Sequence, residues 1–126
     1  MDTPDSANPA IVNTIKEYDK WHGVDNAPVL PTLLQLGSEA CVRCPAFKIA
    51  IRDMQALYKF RWAYSDAHND EADLPEHFGI TKLPAFVFNS RDGINQPIVM
   101  AGARIDQMRK VVRDSCTPIL LLDEDF

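Results

Sequence analysis

Cys41 and Cys44 are separated by Val42 and Arg43 and followed at once by Pro45. Two thiols three positions apart can bridge to each other, bind a metal or trade electrons with a partner disulfide. Only a thiolate attacks a disulfide, so exchange needs something that stabilises the charged sulfur. A helix N-terminus does so through its unpaired N–H groups and the positive end of its dipole. Arg43 adds positive charge in favour of the Cys41 thiolate, and Glu39 opposes it. On this reading Cys41, nearer the loop, is the nucleophile. Cys44, about one turn deeper, then resolves the mixed disulfide. A second stretch, Gly79-Ile80-Thr81-Lys82-Leu83-Pro84, places a proline at the entrance to the strand-like run Ala85-Phe86-Val87-Phe88. A Leu83–Pro84 bond can be cis at modest cost, and there it leaves the preceding backbone groups unpaired. Leu83 would then offer its N–H and C=O to an extended partner segment aligned with Cys41.

Regular elements must hold these two stretches together. Phe47, Ala50, Ile51, Met54, Leu57 and Tyr58 recur at helical spacing, so a helix is predicted from Cys41 to about Tyr58. Pro45 fits its first turn, where N–H groups have no intrahelical acceptor. The near-continuous apolar run over residues 29–36 reads as a strand covered on both faces. Asn8-Pro9, with Ile11, Ile15 and Tyr18 behind it, predicts a helix from about Pro9 to Trp21, punctuated by Gly23 and Pro28. Phe60, Trp62 and Tyr64 alternate with Arg61, Ala63 and Ser65 in a strand ending near Asp66, and fit core packing. Asp73-Leu74-Pro75-Glu76 has the shape of a capping box that opens a short helical turn, closed by Gly79. Residues 85–89 and 98–101 read as a hairpin around Asp92-Gly93, with a loop longer than two residues. Ile105, Met108, Val111 and Val112 share one face of a final helix from Arg104 to about Asp114. The order α-β-α-β-α-β-β-α is an α/β layer architecture around one central sheet.

A chain of 126 residues makes one domain with a real core, and 46% hydrophobic with 25% charged residues is a globular composition. Thirteen basic and eighteen acidic residues leave a net charge of −5 with no Lys/Arg cluster, which argues against nucleic acid as a partner. No apolar run approaches the roughly 20 residues that span a bilayer. The start, Met1-Asp2-Thr3-Pro4-Asp5-Ser6, lacks the features of a secretory signal, so a cytoplasmic location is expected. Three cysteines are too few for a disulfide scaffold. A zinc site wants four protein ligands, and His22, His68 and His77 show no ligand spacing. Two C-x-x-C pairs in a homodimer would still supply four thiols, so structural, metal and redox readings stay open at this point. Residues 1–8 read as a flexible N-terminus, 9–115 as the domain and 116–126 as a tail. Cys116 reads as a buried or idle thiol, with intermolecular bridging or regulation as the alternative, and Trp21 as packing for the first helix rather than a border of the active face. The aliphatic run Ile119-Leu120-Leu121-Leu122 either folds back over a sheet edge or helix groove, or serves a partner or a dimer.

With these pieces assembled, the chain resembles the thioredoxin-fold superfamily over roughly residues 9–115. The matching parts are the strand–Cys41-x-x-Cys44–helix unit, the Phe78-Gly79-Ile80-Thr81-Lys82-Leu83-Pro84 segment and Gly102 after the last strand. The resemblance implies a thioredoxin-like three-layer fold with a central mixed sheet of about four strands. It also implies thiol–disulfide oxidoreductase activity, a cis Leu83–Pro84 bond, and a substrate groove lined by the Cys41 loop, Leu83, Pro84, Gly102 and Ala103. Partners would be disulfide- or thiol-containing proteins, with a reductase or glutathione as electron donor and no cofactor or metal. The family's usual Trp-Cys-Gly-Pro-Cys is here Ala40-Cys41-Val42-Arg43-Cys44, without the aromatic flank or the inner proline. The buried acid that often accepts a proton beneath the pair falls on Gln35, which cannot accept one at useful pH. A non-catalytic interaction module, with a structural or regulatory cysteine pair, is the competing expectation.

Overall fold

A strand with a neighbour on each edge and a helical layer on each face is shut off from water. Thr32–Gly37, at the centre of this protein, is buried along its whole length. The computed structural model describes residues 9–22, 30–90 and 96–119. In chain order these form β1 (Ala10–Ile11), α1 (Ile15–His22), β2 (Thr32–Gly37), α2 (Cys44–Gln55), β3 (Tyr58–Lys59) and β4 (Arg61–Asp66). They continue with α3 (Leu74–Phe78), β5 (Ala85–Asn89), β6 (Ile98–Met100), α4 (Ile105–Ser115) and β7 (Thr117–Pro118). The main sheet has the order β1-β4-β2-β5-β6, and β3 pairs with β7 in a separate ribbon. β2 runs parallel to β4 and antiparallel to β5, so Gln35 lies in register between Tyr64 and Phe86.

Alternation along the strands sorts side chains into two cores, because successive residues point to opposite faces. Leu33, Trp62, Phe86 and Phe88 join Phe47 and Ile51 of α2 and Met108 and Val112 of α4 on one side. Leu34, Leu36, Ala63 and Val87 join Tyr18 of α1 and Leu74 of α3 on the other. This is the expected three-layer α/β arrangement. Among the described residues, no helix is long and apolar enough to cross a membrane.

Several boundaries differ from the sequence reading. The main sheet has five strands rather than four, because residues 10–11 form β1 instead of opening a helix. Val12 donates its N–H to the Tyr64 carbonyl, which keeps this stretch extended along β4. The helix starts at Ile15, where a true capping box operates. Glu17 N–H donates to the Thr14 hydroxyl, and the Glu17 carboxylate accepts from Thr14 N–H. Asp73 does not cap its own helix α3. Its carboxylate instead accepts the Ile15 N–H at 2.6 Å, tying α3 to the start of α1. Gly79 closes α3 with a φ of 70°. The 85–89 and 98–100 strands do form an antiparallel pair, while the Asp92-Gly93 turn lies outside the described residues, as do Gly23 and Pro28. Past residue 115 the chain continues through β7, and Ile119 donates to the Leu57 carbonyl at 2.8 Å. Residues 1–8 and 120–126 are outside the described residues.

Candidate functional site

Helix α2 begins at Cys44, with Arg43 as its N-cap, so Cys41 stands in the preceding turn and not in the helix. The reason is Pro45. Carrying the helix back through Cys41 would need an N–H on residue 45 to donate to the Cys41 carbonyl, and proline has none. The turn closes instead through Cys41 N–H to the Ser38 carbonyl and Cys44 N–H to the Cys41 carbonyl, both 3.2 Å. The first intrahelical bond runs from Phe47 N–H to the Arg43 carbonyl. Cys41 is thus half-buried at the surface and Cys44 is only 4% exposed beneath it. The two are joined as a disulfide, with Cα atoms 5.3 Å apart. Val42, between them, is 92% exposed.

The Leu83–Pro84 peptide bond is cis. Hydrogen bonds at this corner skip Leu83: Gly102 N–H donates to the Lys82 carbonyl and Ala103 N–H to the Pro84 carbonyl, at 3.1 and 2.7 Å. Gly102 adopts a φ of 61°, a region side chains disfavour, and this lets its N–H face Lys82. Two grooves flank the disulfide. One, about 350 Å³, is lined by Cys41, Ala40, His68, Thr81 and Leu83 among others. The second, about 450 Å³, is lined by Val42, Arg43, Phe47, Pro84 and Ala103, together with Arg104, Ile105 and Asp106. The fold therefore brings together Cys41, Cys44, Arg43, Leu83, Pro84 and Ala103, while Gly102 lines neither groove and braces the Lys82 corner. Sequence reading missed His68. It sits in the turn after β4, where its N–H donates to Asp66, and no spacing marks it.

Beneath the pair, Gln35 is fully buried in β2, and neither atom of its side-chain amide finds a hydrogen-bond partner. Trp21 packs on the α1 side with the Arg61 guanidinium 4.5 Å over its ring. Among the described residues, no group of three His, Cys, Asp or Glu side chains is arranged to hold a metal ion.

Cys116 is a free thiol, 8% exposed at the end of α4, and burial pushes its pKa up to about 12. At pH 8 only about one such thiol in ten thousand is ionised. After reduction, iodoacetamide at pH 8 is therefore expected to alkylate Cys41 while Cys116 stays unmodified. Labelling in guanidinium should reach all three cysteines. Peptide mass spectrometry checks this, and comparable native labelling of Cys116 and Cys41 would contradict it.

No family model and no curated protein sequence matches the chain. Solved structures do. Mitochondrial thioredoxin 3 of Saccharomyces cerevisiae, in its oxidised form, superposes with a TM-score of 0.68 at 20% identity, covering 86% of this chain and 97% of that one. Oxidised thioredoxin O1 of Arabidopsis thaliana gives 0.71 at 14% identity, with 86% and 97% covered. Thioredoxin of Malassezia sympodialis gives 0.66 at 16% identity, with 86% and 90% covered. The chain has the thioredoxin fold, with a C-x-x-C pair at disulfide distance.

Proposed function

We propose that this thioredoxin-fold chain is a thiol–disulfide oxidoreductase that reduces or exchanges protein disulfides through Cys41 and Cys44. One observation carries the reading: Cys41 opens onto the same groove as Leu83, the residue whose backbone groups the corner's hydrogen bonds leave unused. An extended partner segment can pair with Leu83 as an added strand, which brings its disulfide to Cys41. The Cys41 thiolate attacks one partner sulfur and the other leaves as a thiolate. Cys44 then attacks Cys41, forming the internal bridge and releasing the second partner thiol. Two electrons pass from the dithiol to the partner, and a reductase or glutathione returns them. Arg43, exposed beside the pair, favours the Cys41 thiolate. Pro84 and Ala103 wall the groove, and Gly102 holds the corner.

The domain of residues 9–115 carries this chemistry, and a reducing cytoplasm suits a pair that must be recharged. The buried amide of Gln35 and the exposed Val42-Arg43 spacer are what favour the competing reading, an interaction module without turnover.

Reduction of insulin disulfides by dithiothreitol separates the two. The wild type is expected to accelerate precipitation, and Cys41→Ser to give the uncatalysed rate. Uncatalysed rates from both proteins would refute the oxidoreductase.

A further inference from the structure

The resolving step needs Cys44 to lose a proton, and Gln35 cannot take one. Beside Cys44 lies a cavity of about 220 Å³, lined by Ser38, Glu39, Cys44, Pro45, Lys48 and Tyr64 and distinct from the Cys41–Leu83 groove. Tyr64 reaches it from β4, in register with Gln35. A Cβ placed on Gly37 would lie 3.0 Å from the Tyr64 hydroxyl oxygen and 3.1 Å from the Cys44 Sγ. Hydroxyl and sulfur thus both lie close to a single point that only a glycine leaves open. Among the described residues, no hydrogen bond engages that hydroxyl.

We propose that, once the bridge is open, the Tyr64 hydroxyl donates a hydrogen bond to the Cys44 sulfur and stabilises its thiolate, deepening the dithiol reading on which it rests. The phenol keeps its proton: burial, then the Asp66 and Glu39 carboxylates, holds its pKa above the usual tyrosine value. The Lys48 ammonium, reaching over from α2, stands 4.5 Å from the ring centroid. Cys44 gives its proton to solvent in the cavity. Its thiolate attacks the Cys41 sulfur of the mixed disulfide, the Cys41–Cys44 bond forms, and the bond to the partner breaks. The partner leaves as a thiolate and takes a proton from solvent.

Dithiobis-nitrobenzoate in excess over the reduced protein tests this in stopped flow. The first nitrothiobenzoate is released when Cys41 is captured, and the second when Cys44 resolves the adduct. In Tyr64→Phe the pH midpoint of the second release is expected to rise by about one unit, slowing it about tenfold below that midpoint. The first release should be unchanged. Gly37→Ala, whose methyl would meet hydroxyl and sulfur at about 3 Å and force them to shift, should show the same rise, and it carries the test if Tyr64→Phe does not fold. A midpoint equal to that of the wild type in whichever variant folds overturns the role of Tyr64. A wild type with no second release defeats the dithiol reading itself.

Discussion

A Cys44→Ser variant is expected to accumulate as a covalent mixed disulfide, Cys41 joined to its partner, visible as a heavier band on non-reducing gels and by mass. Cys44 is placed for one task. It is the first residue of α2, nearly buried, and bonded to Cys41 across a turn closed by their own backbone. A nucleophile held so close acts at an effective concentration that intramolecular reactions put at roughly 10⁵ M or more. Losing it should slow resolution by at least about a thousandfold, leaving release to added thiols. Cys116 cannot take over, because it packs in the α2–α4 core with its thiol protonated throughout the working pH range. Cys41→Ser should form no such adduct. Release from Cys44→Ser as fast as from the wild type would show that resolution does not pass through Cys44.

How much of this was legible depended on whether the deciding contact was local. The strand–turn–helix unit around the cysteines could be read because its signals are consecutive: an apolar run, two cysteines, a proline and a period of 3.6. Even there, the missing N–H of Pro45 should have moved the helix start from Cys41 to Cys44. The sequence misplaces the first helix for a similar reason. Thr14-x-x-Glu17 offers a capping box, but Asn8-Pro9 offers an earlier start, and the contacts that rule it out are remote: Val12 N–H on the Tyr64 carbonyl and the Asp73 carboxylate on Ile15. β1 and the β3–β7 ribbon are pairs of residues made extended by partners far along the chain, so no local pattern announces them. His68 and Tyr64 belong to the site only through the fold. Nothing in Phe60-Arg61-Trp62-Ala63-Tyr64 tells that the last aromatic stops beside Cys44; that follows from the register of β4 on β2.

The same register concentrates stability at one side chain. Phe86 is fully buried in β5, opposite Gln35 on one edge and Met100 on the other. Its ring stacks on Phe47 with centroids 6.2 Å apart. Phe86→Ala is expected to lower unfolding stability by about 3–5 kcal/mol, combining lost transfer energy with a cavity that a close-packed sheet cannot collapse. Natural domains hold only about 5–15 kcal/mol in total, so this one change approaches the threshold of folding. Urea denaturation should show a lower midpoint with an unchanged slope. Val42→Ala, at 92% exposure, should stay within about 0.5 kcal/mol of the wild type. The effect should also reach the chemistry. Phe47 makes the first hydrogen bond of α2, to Arg43, so a void at Phe86 loosens the turn that fixes one sulfur over the other. Native-state hydrogen exchange in Phe86→Ala should therefore rise first at the Cys44 and Phe47 amides, which close this turn, and not along α1, which packs on the opposite face of the sheet. Equal protection losses on both faces would mean that the two cores unfold as one unit and that Phe86 supports the site only through global stability.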